Sequence, residues 1–66
     1  MKASYDPKAD SLWIRWNTAA IEESDEVQPG VILDYDADGV VVGIEVLNAS
    51  KKIKNLSSIS TAKTPA

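Results

Sequence analysis

The chain has 66 residues and a net charge of −3, and it contains neither cysteine nor histidine. A domain this short buries only about 60% of the surface of its extended chain, so it commonly needs a disulfide, a metal or a partner subunit. The missing residue types exclude disulfides, thiolate metal sites and the commonest general base, and we therefore expect self-association, with a dimer favoured.

The charge changes sign along the chain. Residues 1–47 hold three basic residues and all ten acids, for a net charge of −7, whereas residues 48–66 hold four lysines and no acid, for +4. An acidic body disfavours nucleic acid as a partner and favours a basic protein. No apolar run is long enough to span a membrane and the N-terminus lacks the apolar core of a signal peptide, so we expect a cytoplasmic protein.

Turn residues divide the first half of the chain into three predicted strands. Residues 3–5 and 11–16 flank a turn that contains Pro7, and they are expected to pair as a hairpin. Alternation in the second strand predicts that Trp16 points into the core and that Trp13 lies on the opposite face. Residues 21–27 include four acids and are predicted to form an edge strand, where charge discourages aggregation.

Residues 31–35 and 40–47 are rich in β-branched residues and predict two further strands, joined by the loop 36–39. A four-residue loop pairs Tyr35 with Val40. One sheet face then carries Val31, Leu33, Tyr35, Val40, Val42, Ile44 and Val46. The opposite face is too apolar for plain solvent, and its expected contact residues are Trp13, Ile32, Val41 and Leu47.

The composition changes after Leu47. Asn48 or Ser50 is predicted to cap a short helix, with Ile53 and Leu56 on one side of it. We therefore predict a β domain over residues 1–50 and a basic tail over residues 51–66. The tail is expected to form a short helix and then a partly disordered end. The predicted fold is mainly β (α+β at most), an antiparallel sheet or meander of about four to five short strands with a short C-terminal helix.

The loop between the two confident strands fits the calcium-binding pattern of an EF-hand, with Asp34, Asp36, Asp38, Gly39 and Glu45 at the required spacing. The preceding Gln28-Pro29-Gly30 breaks a helix, and in the predicted register Glu45 lies about 13 Å from Asp34. A simpler calcium site made by Asp34, Asp36 and Asp38 remains as an alternative to an ordinary Asp-rich turn.

Patterns that would indicate an enzyme or a nucleic-acid binder are weak. The acidic run from Glu22 to Glu26 lacks the deep cleft that glycoside hydrolysis requires. Serine and threonine hydroxyls have no activating histidine. Trp13 and Trp16 flank Arg15, as in proteins that stack single-stranded bases, but the surrounding acids oppose that role. We therefore expect no enzymatic activity and no cofactor apart from the calcium hypothesis.

Several short motifs occur in a characteristic order between Tyr5 and Ser50. They are Tyr5-Asp6-Pro7, Ala9-Asp10-Ser11-Leu12-Trp13-Ile14-Arg15, Gly30-Val31-Ile32-Leu33-Asp34-Tyr35-Asp36, Asp38-Gly39 and Gly43-Ile44-Glu45-Val46-Leu47-Asn48-Ala49-Ser50. Together they resemble a family of small bacterial proteins, domain of unknown function 2283 (DUF2283), over about two thirds of the chain. The resemblance implies no activity and no functional residue. Some members look as if they are encoded beside small toxin-like proteins, which implies an antitoxin-like binding role.

These observations favour a non-enzymatic protein-interaction module that associates with itself and has an antitoxin-like role. Its predicted contact surface is the apolar set Trp13, Ile32, Val41 and Leu47, with Glu22 and Glu23 as an acidic rim for a basic partner. The alternative is a small domain stabilised by calcium at the Asp-rich hairpin loop.

Overall fold

A computed structural model of the chain describes residues 1–59 and 62–63. Within them, the chain folds into one mixed sheet whose strand order is β3-β4-β5-β2-β1-β6. Five strands are antiparallel, and β6 pairs in parallel with β1. The elements are β1 (Lys2–Asp6), β2 (Ser11–Arg15), β3 (Glu23–Gln28), β4 (Val31–Tyr35), β5 (Val41–Leu47), α1 (Ala49–Lys52), a 3₁₀ turn (Leu56–Ser58) and β6 (Ala62–Lys63). The predicted mainly β sheet with a short C-terminal helix is confirmed.

The hydrophobic core lies on one face of the sheet, under the C-terminal segment. Leu12 of β2, Val46 of β5 and Ala49 of α1 form its buried centre. Leu12 and Val46 are cross-strand partners, so their side chains share a face. Partly buried side chains complete this core: Tyr5, Ile14, Ile44, Ile53, Leu56 and Ile59.

The C-terminal segment is therefore part of the packed domain as far as Ile59. Ile53 and Leu56 lie on the core side, as their spacing predicts, and Ile59 joins them. The expected partly disordered end falls on residues 60, 61 and 64–66, which lie outside the described residues. No helix in the described ranges is long and apolar enough to cross a membrane.

The predicted register of the β4–β5 hairpin is wrong. Tyr35 pairs with Val41, Leu33 with Ile44 and Val31 with Val46, and a bulge interrupts the ladder at Asp34 and Tyr35. The cause is the Asp36 side chain, whose Oδ1 accepts the N–H of Asp38 and the N–H of Val40. This draws Val40 into the loop, where it is 55% exposed rather than in the core.

The position that strand alternation predicts for Trp16 also differs from the observed one. The strand β2 ends at Arg15. Trp16 follows it with 46% of its surface exposed, and its indole N–H donates to the carbonyl oxygen of Val41 at 3.0 Å. The expectation that Trp16 belongs to the core is therefore wrong.

Neither predicted cap residue caps α1 with its side chain. Asn48 occupies the N-cap position in a left-handed conformation and makes no capping hydrogen bond, while Ser50 lies inside the helix. Asp10 supplies the missing acceptor, because its Oδ1 accepts the backbone N–H of Ser50 at 3.0 Å. A carboxylate at this position is favoured by the exposed N–H groups of a helix start.

Candidate interaction surface

The sheet face opposite the core forms the candidate site, and we call it the open face. Cross-strand pairing places its residues in rows that run across the sheet. One row contains Lys2, Arg15, Gly43, Asp34 and Ser24, and the next contains Ser4, Trp13, Glu45, Ile32 and Glu26. Ser11 and Leu47 pair beyond the second row. Both helical segments pack on the core side, so in residues 1–59 and 62–63 no helix lies over this face.

Three of the predicted contact residues lie together on the open face. Trp13, Ile32 and Leu47 are each half-buried on adjacent strands of the sheet. Val41 differs, because it sits at the bulge, where it pairs with Tyr35. The apolar part of the surface is therefore the trio Trp13, Ile32 and Leu47.

A buried carboxylate fixes the orientation of Trp13. Asp34 is only 5% exposed. Its Oδ1 accepts a hydrogen bond from the Ser24 hydroxyl at 2.7 Å, and its Oδ2 accepts one from the Trp13 indole N–H at 3.3 Å. A buried charge is costly unless polar partners satisfy it, so these two donors hold the three strands in one arrangement.

Gly43 makes room for the polar groups of this row. A Cβ atom at Gly43 would lie 2.9 Å from the carbonyl oxygen of Ile14 and 3.2 Å from Cγ of Arg15. It would also lie 3.5 Å from Oδ2 of Asp34. The absence of a side chain at Gly43 therefore allows Arg15 and Asp34 to lie against the middle of the sheet.

A hollow of about 460 Å³ opens at one end of the open face. We call it the cation-lined hollow. No acid lines it, and its residues are Met1, Lys2, Trp13, Arg15, Trp16, Asn17 and Thr18. The Arg15 guanidinium lies 5.6 Å from the centre of the Trp13 ring. One Arg15 terminal nitrogen donates to the Ala19 carbonyl oxygen, while the buried Nε has no hydrogen-bond partner. The hollow therefore concentrates positive charge in an acidic chain.

The predicted acidic rim lies on the edge strand β3, all of whose residues are exposed. The β3–β4 register shows which residues of β3 lie on the open face and which lie on the other face. Glu23 pairs with Tyr35, whereas Ser24 and Glu26 pair with Asp34 and Ile32 of the open face. Glu22 precedes the strand and donates its backbone N–H to the Tyr35 carbonyl oxygen at 2.8 Å. Glu26 is thus an acid of the open face that the sequence did not distinguish from Glu23.

The three aspartates of the calcium hypothesis have different surroundings in the structure. Asp34 is engaged on the open face by Ser24 and Trp13. Asp36 holds the hairpin turn, as described above, and Asp38 is exposed at the loop. Across the part of the chain that the structure describes, no three acidic side chains form a group that could hold a metal ion. The geometry therefore gives the hypothesis no support.

Asp10 and Tyr5 shift each other's pKa values in a contact that lies away from the open face. Hydrogen bonds from Ser50 and then from Tyr5 lower the pKa of Asp10. The same hydrogen bond to Asp10 raises the pKa of the Tyr5 phenol. Both shifts arise from a structural contact between the β1–β2 hairpin and α1, and neither group lines the hollow.

Comparison with known proteins agrees with the motif resemblance. A family model described as protein of unknown function (DUF2283) matches residues 2–50. Searches of curated proteins and of solved structures return no match.

Proposed function

Since the chain belongs to the DUF2283 family, whose function is unknown, we propose from its own surfaces that it is a non-enzymatic protein-interaction module that dimerises through the open face. The proposal rests on the observation that only one face of the sheet is covered by other elements of the chain. The core face is packed under α1 and the 3₁₀ turn, while the open face presents Trp13, Ile32 and Leu47. These three side chains surround Glu45, and apolar side chains grouped in this way on an uncovered face mark an interaction site in small proteins.

A second copy fits the open face better than it fits the edge strand β3. The edge strand β3 carries Glu23, Asp25 and Glu26, all exposed, so two such edges would repel each other. The open face has five strands of about five residues, which corresponds to roughly 400 Å² per copy at ordinary strand spacings. Stable complexes bury about 800 Å² per partner, so we expect a weak dimer with a micromolar or higher dissociation constant.

The absence of a catalytic role is part of the proposal. It rests on the lack of histidine and cysteine in the sequence, and on the full engagement of Asp34, the buried acid of the open face, by Ser24 and Trp13. The antitoxin-like role is a narrower form of the proposal. In it, the exposed acids of β3 would contact a small basic partner, as complementary charge speeds and orients association.

The test is the oligomeric state of the purified chain between about 1 μM and about 1 mM, measured by sedimentation and native mass spectrometry. We expect a monomer–dimer equilibrium that Ile32→Lys abolishes, because a lysine would be desolvated in the middle of the contact. Val40→Lys is the matched control, since Val40 is exposed in the loop away from the patch.

Circular dichroism verifies that both variants fold. A wild-type chain that stays monomeric over the whole range contradicts dimerisation. Equal dimer formation by the wild type and a folded Ile32→Lys variant contradicts the use of the open face.

A further inference from the structure

We infer that the cation-lined hollow binds the C-terminal end of a partner peptide. The terminal carboxylate lies between Lys2 and Arg15. The last side chain of the peptide is apolar and lies against the indoles of Trp13 and Trp16. This inference rests on the proposed role in protein interaction, but it does not require the dimer.

The hollow holds two cations close together without a counter-charge. Lys2 and Arg15 are direct cross-strand partners on β1 and β2, so their side chains project from the same face of the sheet. Within residues 1–59 and 62–63, neither forms an ion pair and no acid lines the hollow. Like charges that face each other across two strands are destabilising, and an anion between them relieves the repulsion. The hollow is therefore suited to a negatively charged group.

The guanidinium of Arg15 is held in place but is not fully satisfied. One terminal nitrogen donates to the Ala19 carbonyl oxygen, and the group lies 5.6 Å from the centre of the Trp13 ring. The buried Nε has no acceptor in the part of the chain that the structure describes. A buried donor without an acceptor carries a free-energy penalty, and a guanidinium binds a carboxylate through two parallel hydrogen bonds. A carboxylate beside Arg15 would therefore remove a penalty that the unbound protein carries.

The walls beside these cations are aromatic. Trp13 and Trp16 both line the hollow, and Trp16 is 46% exposed. Their indole N–H groups are already engaged, that of Trp13 by Asp34 and that of Trp16 by the Val41 carbonyl oxygen. The two indoles therefore offer ring surface, which packs against an apolar or aromatic group. A ligand that fits the hollow carries its negative charge next to an apolar group.

Shape and charge favour the end of a peptide over other anions. The hollow has a volume of about 460 Å³ and is open to solvent, because most of its lining residues are exposed. A small molecule binds where about 70–90% of its surface is enclosed, whereas the end of a chain can leave its remainder outside. The net charge of −7 over residues 1–47 opposes a nucleic-acid strand with its many phosphates far more than it opposes one carboxylate. The C-terminal carboxylate of a peptide is therefore the ligand that fits best.

A pair of matched peptides tests the inference. Each is an N-acetylated chain of glycine and serine that ends in phenylalanine, and one ends in a free carboxylate and the other in an amide. Both tryptophans of the protein line the hollow, so their fluorescence reports binding directly. The peptides are titrated into about 1 μM protein, where the proposed weak dimer is dissociated. We expect a dissociation constant of about 0.1–1 mM for the acid and binding at least about tenfold weaker for the amide.

Lysine variants locate the binding site. Lys2 is exposed, so Lys2→Gln should leave the fold intact and weaken binding of the acid peptide by about threefold to tenfold. Lys8→Gln is the matched control, because it removes the same charge from an exposed residue that does not line the hollow. It should leave the dissociation constant within about twofold of the wild-type value. Ile32→Lys, which should abolish the proposed dimer, changes no lining residue and should still bind the peptide.

The outcomes separate this inference from the proposed dimer. Peptide binding that depends on the carboxylate and on Lys2 confirms the site even if the wild type stays monomeric. Equal binding of the acid and the amide, or equal effects of Lys2→Gln and Lys8→Gln, overturns the inference while the dimer stands on its own measurement. The absence of acid-peptide binding up to about 10 mM overturns it as well. A short single-stranded oligonucleotide that binds more tightly than the peptide would also overturn it and assign the hollow to nucleic acid.

Discussion

Asp10 and Ser50 are forty residues apart in the chain and form a 2.6 Å hydrogen bond, in which the Ser50 hydroxyl donates to Oδ2 of Asp10. Asp10 also accepts the Ser50 backbone N–H and, at 2.7 Å, the Tyr5 hydroxyl. Its backbone oxygen accepts the N–H of Ala49 at 2.9 Å. One residue of the first hairpin thus fastens the start of α1, which holds the C-terminal segment over the core.

The first prediction concerns the pH dependence of this contact. Because hydrogen bonding lowers the pKa of Asp10 in the folded protein, the carboxylate stabilises the fold at pH values above its unfolded pKa of about 4. That contribution is lost as the pH falls through the lowered folded pKa. We expect Asp10→Ala to lower the melting temperature at neutral pH and to flatten the acid limb of the curve of melting temperature against pH.

Asp38→Asn serves as the control for this measurement, because Asp38 is an exposed acid in the opposite hairpin loop. Its acid limb should match that of the wild type. An unchanged acid limb in Asp10→Ala would show that Asp10 does not stabilise the fold through its carboxylate.

The second prediction concerns the buried carboxylate of the open face. Asp34→Ala removes the acceptor of both the Ser24 hydroxyl and the Trp13 indole N–H. Leaving the half-buried Trp13 indole N–H unsatisfied costs about 1–3 kcal/mol, and the exposed Ser24 loses a hydrogen bond worth about 1 kcal/mol. We therefore expect the free energy of unfolding to fall by about 2 kcal/mol or more. Urea denaturation followed by tryptophan fluorescence gives this value.

Ser24→Ala provides the second half of a double-mutant cycle. It should be much milder alone, at about 1 kcal/mol, and should add little to Asp34→Ala because the shared hydrogen bond is already lost. Fully additive effects would mean that Ser24 and Asp34 do not interact in solution.

Strand periodicity explains why much of the sheet could be predicted. Residues 31–35 coincide with β4, and the acidic segment is the edge strand as its charge predicts. The hairpin register could not be predicted, because Val40, Val41 and Val42 are identical in chemistry. The observed loop is held by hydrogen bonds from the backbone N–H groups of Asp38 and Val40 to the side-chain Oδ1 of Asp36.

The polar part of the site was harder to predict for a different reason. Trp13 and Asp34 are 21 residues apart, and they meet only because β5 lies between β2 and β4. Local sequence does not specify that order. A charged residue inside the apolar run Val31–Tyr35 was the available signal, but the calcium pattern offered a competing explanation for it. The assignment of Trp16 to the core failed because alternation does not mark where a strand ends.

The third prediction separates the turn role of Asp36 from the calcium hypothesis. Asp36→Ala removes the acceptor for the N–H groups of Asp38 and Val40, which should lower the free energy of unfolding by about 1 kcal/mol. Because the geometry assigns Asp36 to the turn, we expect the same loss in calcium and in chelator. Denaturant midpoints measured in both conditions check this. A loss that appears only in calcium would restore the calcium site.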